Sequence, residues 1–225
     1  MKISFKSILK KLIELIYPPK CVLCDNALSQ IDSLCSACHS NLKISKTEID
    51  IPYLEPYTAK CYSLFEYKDE IRAAICRFKF NGYKNYSDFF SKIIYRYLIN
   101  SNNQFKVDYI CSVPMTKKSL SSRGYNHAEI IAGKLSDFSG IEHYEALIKI
   151  KENSRQHQLG AKERFENVKG VYDVQDGAKV IGKTFLLVDD IITTGNTLKE
   201  CAKTLYLAGA KKVICCTISY AKSHN

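Results

Sequence analysis

The stretch TFLLVDDIITTGNT, residues 184–197, decides the fold and the candidate site of this chain. Its first part, 184–188, is an apolar run with the length and composition of a buried strand. The acidic pair Asp189 and Asp190 follows directly, and a turn rich in threonine then leads into a helical pattern. This order of strand, acidic pair, hydroxyl-rich turn and helix start predicts a ligand site at the end of a strand.

The turn after the acidic pair offers groups that bind a phosphate. Backbone N–H groups and the dipole at a helix start attract an anion, and hydroxyl groups donate further hydrogen bonds. The turn consists of Thr193, Thr194, Gly195, Asn196 and Thr197. Carboxylates repel a phosphate, but Asp189 and Asp190 can accept hydrogen bonds from vicinal ribose hydroxyls or hold Mg²⁺ through water. A lone Thr-Gly turn would indicate only helix capping, whereas the whole arrangement favours a site for a sugar phosphate.

Apolar strand patterns alternate with helical patterns over the C-terminal half of the chain. The candidate strands lie at 107–113, 146–150, 184–188 and 212–220, and the candidate helices at 126–138 and 197–208. Upstream, the pattern predicts a strand at 61–67 and helices near 69–79 and 86–99. Strands that are apolar throughout are typical of a parallel sheet covered by helices on both faces. We therefore expect an α/β domain with a parallel-centred sheet at 59–225.

The N-terminal part contains two pairs of cysteines, Cys21 with Cys24 and Cys35 with Cys38. Each pair places two thiolates on one turn, and two such turns supply the four ligands of a tetrahedral zinc site. The surrounding segment has little apolar material, so metal binding would provide its folding energy. Four protein ligands leave no open position, which predicts a structural Zn²⁺ ion. Disulfides are the alternative, and the lack of an export signal disfavours them.

Charge and hydropathy limit the classes of partner. The chain has 225 residues and a net charge of +10, which suits phosphate ligands, nucleic acid or a membrane surface as partners. The alternative is that the charge reflects only a lysine-rich, solvated surface. No apolar run reaches the roughly 18 residues of a transmembrane helix. Residues 1–19 follow helical spacing without a cleavage site, so we interpret them as an amphipathic helix on its own core, with membrane contact as the weaker alternative. We expect a cytoplasmic protein with an N-terminal domain at 1–58.

Further motifs carry a resemblance to a known family. Residues 188–197 resemble the ribose-phosphate signature of type I phosphoribosyltransferases. The motifs FKFNG at 78–82, VP at 113–114, RGYN at 123–126 and QHQLGAKERFENV at 156–168 are similar to those of the ComF family of competence proteins. The four-cysteine segment ahead of this domain also fits that family. One departure is His127, which stands where the family usually has Gln.

The resemblance implies a site for phosphoribosyl pyrophosphate with Mg²⁺. It makes Asp189 and Asp190 the candidate catalytic pair and places the 5-phosphate on 193–197. It places the pyrophosphate on the loop after the first sheet strand and beside Arg123, and that loop is Ser112, Val113, Pro114 and Met115. Further basic residues could add charge, some of them on a flexible hood: Lys117, Lys118, Lys151, Arg155 and Arg164. No residue stands out as a base, although His127 and His157 are candidates.

Three functions remain open at this point. The resemblance implies most directly a role in DNA uptake during natural transformation, with single-stranded DNA and the helicase component of the uptake machinery as partners. The alternatives are a phosphoribosyltransferase acting on an unknown acceptor and an adaptor that senses phosphoribosyl pyrophosphate. For a DNA contact we expect Arg77, Lys79 and Lys84 to be exposed around the turn at Gly82.

Overall fold

The computed structural model describes residues 18–28, 32–51, 59–99, 106–151, 170–175 and 179–221. Among these residues, a five-stranded sheet has the order β1-β2-β7-β6-β3, and β4 and β5 form a separate two-stranded sheet. The strands are β1 (Thr47–Asp50), β2 (Lys60–Glu66), β3 (Tyr109–Ser112), β4 (Leu147–Lys149), β5 (Tyr172–Val174), β6 (Thr184–Ile192) and β7 (Lys212–Tyr220). Strands β2, β7, β6 and β3 run parallel, and β1 pairs antiparallel with β2 at the edge.

Helices cover both faces of the large sheet. They are α1 (Ser36–Asn41), α2 (Asp69–Phe80), α3 (Tyr86–Ile94), α4 (Lys117–Arg123), α5 (His127–Ser139) and α6 (Asn196–Leu207), with a π-helical turn (Tyr95–Ile99) after α3. On one face, Leu186 and Val188 of β6 share a core with α2, α3 and α5. On the other face, Phe185 and Leu187 share a core with Leu205 of α6. Because side chains alternate along a strand, the continuous apolar run of β6 supplies both cores.

The predicted α/β class and the parallel-centred sheet are confirmed. The strand predicted at 212–220 has those bounds as β7, and the strand predicted at 184–188 extends to Ile192. The prediction for 146–150 is wrong in one respect, because β4 pairs antiparallel with β5 outside the large sheet. Its middle residue, Ile148, is 39% exposed, whereas the strands of a covered parallel sheet are apolar and buried throughout. Helix α4 and strand β1 were not expected.

Strands β3 and β6 bring the candidate site residues together at the carboxyl ends of the parallel strands. Strands β3 and β6 are parallel neighbours, with Ser112 level with Val188. The N–H of Val113 donates to the carbonyl of Val188 over 2.9 Å, so the chain leaving β3 starts beside the acidic pair. The carboxyl ends of the parallel strands therefore form one rim, which we call the site rim. The amphipathic helix predicted at 1–19 lies outside the described residues apart from Pro18 and Pro19.

Candidate functional site

The phosphate loop lies between β6 and the start of α6. A small cavity on the site rim is lined by Asp189 and by residues 191–198. Gly195 precedes the first residue of α6 and offers no side chain to cap the helix. The first N–H groups of an α-helix have no partner within the helix, and the helix dipole favours an anion there. The loop thus provides the backbone setting that the sequence predicts for a phosphate.

The backbone conformation at residue 195, rather than a lack of space for a side chain, requires glycine there. Its φ of 75° lies in the left-handed region, which side chains with a Cβ adopt only with strain. A Cβ added there would meet Cδ1 of Ile192 at 3.6 Å, an ordinary contact distance. The conformation at the helix start therefore depends on glycine, and a larger residue would change the loop's path.

The acidic pair is held by a cation from a different part of the chain. The Nζ atom of Lys79, near the end of α2, lies 2.8 Å from Oδ1 of Asp190. The N–H of Asp190 donates to Oδ1 of Asp189 over 2.8 Å. Burial and the neighbouring charge of Asp190 raise the pKa of Asp189 to about 7, against the opposing effects of the Asp190 N–H and of Lys79. Ribose hydroxyls or a cation that reached Asp189 would lower its pKa and favour the ionised form.

The loop at 112–115 is fixed by two side chains. Ser112 is buried at the end of β3, and its hydroxyl donates to Glu145 over 2.8 Å. The Nδ2 group of Asn126 donates to the carbonyl of Val113 over 3.0 Å, and Oδ1 of Asn126 accepts from the N–H of Ala128. Asn126 therefore caps α5 and anchors the loop at the same time. Its preference for the helix cap position was a usable sequence signal.

The end of α2 is joined to the RGYN motif by hydrogen bonds to two carbonyls. The hydroxyl of Tyr125 donates to the carbonyl of Phe78, and Nε2 of His127 lies 3.0 Å from the carbonyl of Lys79. Because a carbonyl only accepts, Nε2 carries the proton. Burial lowers the pKa of His127 despite the charge of Asp190, which keeps the ring neutral. The imidazole is 2% exposed and packed among aromatic rings, so it supports the rim rather than serving as an accessible base.

The four predicted zinc ligands come together in the structure. The Sγ atoms of Cys21, Cys24, Cys35 and Cys38 all lie within 4.8 Å of one another, and those of Cys24 and Cys35 are 3.8 Å apart. A tetrahedral zinc site with bonds of about 2.3 Å places its sulfur atoms about 3.8 Å apart. The geometry therefore fits Zn²⁺ with four thiolate ligands, a closed coordination shell without an open position.

The surroundings shift the thiol pKa values of Cys21 and Cys38 in opposite directions. Burial alone would raise the pKa of Cys21, but N–H groups of the neighbouring turns outweigh it and lower the pKa to about 7. Burial and the neighbouring thiols raise the pKa of Cys38. Four thiolates at this spacing repel one another, so a divalent cation is what makes the cluster stable as an ionised set.

Comparisons with known proteins match both parts of the chain. Residues 119–224 match the family model described as a phosphoribosyl transferase domain, and residues 12–49 match a double zinc ribbon domain. Competence protein F of Haemophilus influenzae is 28% identical over 85% of this chain and 87% of its own length. DNA utilization protein YhgH of Escherichia coli K12 is 25% identical over 86% of each chain. Competence protein ComFC of Streptococcus pneumoniae is 29% identical over 67% of this chain and 64% of its own length.

The resemblance to the ComF family is confirmed. The double zinc ribbon match and the four-cysteine cluster together support a structural zinc ion. None of the described helices combines the length and apolar character that a membrane crossing needs. The ComF-like motifs at 78–82 and 123–126 contact each other through Tyr125 and Phe78, and Lys79 of the first contacts Asp190 in the phosphoribosyltransferase signature at 188–197.

The remaining predicted binding residues are exposed or partly buried, or they fall in the part of the chain that the structure does not describe. Arg123 is exposed at the end of α4, and Met115 is partly buried. Lys117 and Lys118 are exposed at the start of α4, and Lys151 is exposed just after β4. Arg155, His157 and Arg164 lie outside the described residues, so their predicted roles stay predictions.

The expectation that Arg77 and Lys79 are exposed for DNA contact is wrong. The guanidinium of Arg77 donates to the carbonyls of Val22 and Leu23 over 2.9 and 2.7 Å, and its side chain is 18% exposed. The side chain of Lys79 is 16% exposed because it pairs with Asp190. Both cations are therefore used inside the molecule, one on the zinc-binding segment and one on the acidic pair.

Proposed function

We propose that this protein binds phosphoribosyl pyrophosphate together with Mg²⁺ and single-stranded DNA, and that it serves DNA uptake in the cytoplasm during natural transformation. The observation that carries the proposal is the single rim formed by the acidic pair, the loop at 193–197 and the loop at 112–115. The names of the related proteins, two of them competence proteins and one a DNA utilization protein, support the role in DNA handling.

The ligand fits the rim by charge. The 5-phosphate lies on the loop at 193–197, where the start of α6 favours an anion. The ribose hydroxyls donate to Asp189 and Asp190, which avoids placing a phosphate against a carboxylate. The pyrophosphate lies towards the loop at 112–115, with Arg123 exposed nearby on the chain. Mg²⁺ bound with the ligand would neutralise part of the pyrophosphate charge.

Lys79 has a defined part in this arrangement. In the structure its ammonium group neutralises Asp190. When the ribose hydroxyls or Mg²⁺ reach the acidic pair, they compete with that ammonium group for the carboxylate oxygens. Lys79 then stays beside a ligand that carries several negative charges, where a cation is favourable. Without ligand, the ion pair thus offsets part of the repulsion between the two carboxylates. With ligand bound, Lys79 remains as a cation at the rim.

Transfer of the phosphoribosyl group is a second candidate activity. It would break the bond between C1 of the ribose and the pyrophosphate oxygen and form a bond from C1 to an acceptor, with the protein positioning the groups and stabilising the leaving charge. The phosphoribosyl transferase match favours it. One fold can occur in proteins with and without catalytic activity, so the match alone does not establish transfer. An adaptor that senses the ligand would use the same rim.

Two assays separate these functions. In the first, the protein is incubated with Mg²⁺ and phosphoribosyl pyrophosphate, with and without single-stranded DNA or free nucleobases, and pyrophosphate release is followed. Release that depends on an added acceptor indicates a transferase, and its absence with ligand bound leaves the uptake or sensor role.

In the second assay, a labelled oligonucleotide is titrated at low and moderate salt. We expect binding that weakens steeply with salt because counterions are released, and no binding even at low salt would remove the DNA part of the proposal.

A further inference from the structure

Phe80 is a large apolar side chain left open to solvent on the site rim. It is the last residue of α2 and is 68% exposed, whereas Phe78 in the same helix is fully buried. Its neighbour Lys79 holds Asp190 at 2.8 Å, and adjacent Cα atoms lie only about 3.8 Å apart. A single exposed apolar residue is ordinary on a protein surface, so its meaning depends on the groups around it.

Two basic residues lie on the chain segments that contact the end of α2 or follow it. The Nζ atom of Lys84 lies 4.6 Å from the centre of the Tyr125 ring, and Tyr125 in turn donates to the carbonyl of Phe78. Arg123, two residues before Tyr125, is exposed. We call Phe80, Lys84 and Arg123 the Phe80 platform. An exposed aromatic face flanked by basic side chains is the combination that binds single-stranded nucleic acid, since bases stack on the ring and phosphates lie on the cations.

The platform is presented by fixed backbone. The N–H of Asn81 donates to the carbonyl of Arg77 over 3.0 Å, which closes the last turn of α2. Gly82 then takes a φ of 76°, so the chain turns sharply after the helix. Arg77 is itself anchored on the zinc-binding segment through Val22 and Leu23. A ring held on a rigid helix end loses little conformational freedom when a base stacks on it.

We propose that the Phe80 platform is the contact surface for single-stranded DNA, with a base stacked on Phe80 and neighbouring phosphates on Lys84 and Arg123. This inference rests on the proposed function, because it assigns a place to the DNA binding proposed there. It keeps Lys84 from the expectation drawn from sequence and replaces Arg77 and Lys79, whose side chains are used inside the molecule. It also places the DNA beside the acidic pair, at the same rim as the sugar phosphate.

The absence of tryptophan from the chain allows a direct optical test. The Phe80→Trp variant carries one indole, whose fluorescence is quenched when a base stacks on it. We expect strong quenching on titration with an unlabelled oligo(dT). The matched control is Leu207→Trp, because Leu207 is 67% exposed and ends α6 at the opposite end of the sheet. We expect no quenching there, and equal quenching in both variants would overturn the proposal.

A second variant measures the stacking contribution. Phe80→Leu keeps an apolar side chain but removes the ring, and we expect oligo(dT) to bind about fivefold to a hundredfold more weakly, since stacking contributes about 1–3 kcal/mol per base. Thermal melting checks that the variant is folded, and Leu207→Ala should bind like the wild type. If the wild type binds and Phe80→Leu binds equally well, this inference is wrong while the proposed DNA binding stands. If the wild type does not bind, both are wrong.

Discussion

The four-cysteine segment and the sheet domain are stabilised by different means. The cysteine segment contributes few buried apolar side chains, namely Cys21, Val22, Leu23 and Leu34, which pack into the core on one face of the sheet, and its four sulfur atoms lie at metal-binding distances. The sheet has apolar cores on both faces, contributed by β6, β7 and the helices. A metal can replace a core where the chain is too short to build one. The two regions should therefore respond very differently to the same kind of perturbation.

Removal of the zinc ligands should have the largest effect. In a variant with Cys21→Ser and Cys24→Ser we expect loss of one Zn²⁺ per chain and unfolding of the segment at 20–46, because zinc binding to such sites supplies about 10–16 kcal/mol. The sheet domain should keep its fold. Elemental analysis and amide hydrogen exchange measure both effects. Cys76→Ser is the control, since Cys76 lies in α2 outside the cluster, and unchanged zinc content in the double variant would contradict the assignment.

Cutting the link between the two regions should have a smaller effect. Arg77→Ala removes two hydrogen bonds from a guanidinium to the carbonyls of Val22 and Leu23, each contributing up to about 1.5–3 kcal/mol. We expect amides of the cysteine segment to exchange at least about tenfold faster while zinc stays bound. Arg72→Ala, an exposed change in the same helix, is the control. Equal exchange in all three proteins would show that Arg77 does not hold the segment.

Within the sheet domain, Asp189 should make stability depend on pH. Burial, with the charge of Asp190, raises the pKa of Asp189 from 3.8 to about 7, so the folded state binds this proton more tightly than the unfolded state. The contribution of Asp189 to the free energy of unfolding is therefore most favourable below about pH 4, and it is lost as the pH rises through 7. Asp189→Asn should raise the melting temperature more at pH 8 than at pH 5. Thermal melts at both values, with the exposed Asp173→Asn as control, check this, and an equal shift at both would contradict it.

The sequence predicts best what is encoded locally. The apolar run at 184–188 and the paired cysteines each form a contiguous pattern, and the structure places the first in β6 and brings the four cysteines together. The acidic pair was expected after the strand and lies inside it, because β6 continues to Ile192. The partners of cations could not be predicted in the same way. Lys79 and Asp190 are far apart in the sequence, and no periodicity connects them, so Lys79 looked like an exposed residue near a turn.

Short edge elements were also beyond the sequence patterns. Strand β4 has the apolar composition of a sheet strand, but only its pairing with β5 shows that it lies outside the large sheet. Strand β1 lies within a polar stretch and pairs along one edge of β2. In both cases the deciding interaction is a backbone pairing with a distant strand, which leaves little trace in side-chain composition.

Calorimetric titration of phosphoribosyl pyrophosphate with Mg²⁺ tests the central claim most directly. The account predicts binding to the wild type and binding about tenfold or more weaker in Asp190→Ala, which loses hydrogen bonds to the ribose. Gly195→Val should bind more weakly still, because its left-handed backbone conformation at the helix start is strained with a branched side chain. The exposed Asp137→Ala should match the wild type. Equal affinity in all four proteins would show that the loop at 193–197 and the acidic pair are not the sugar-phosphate site.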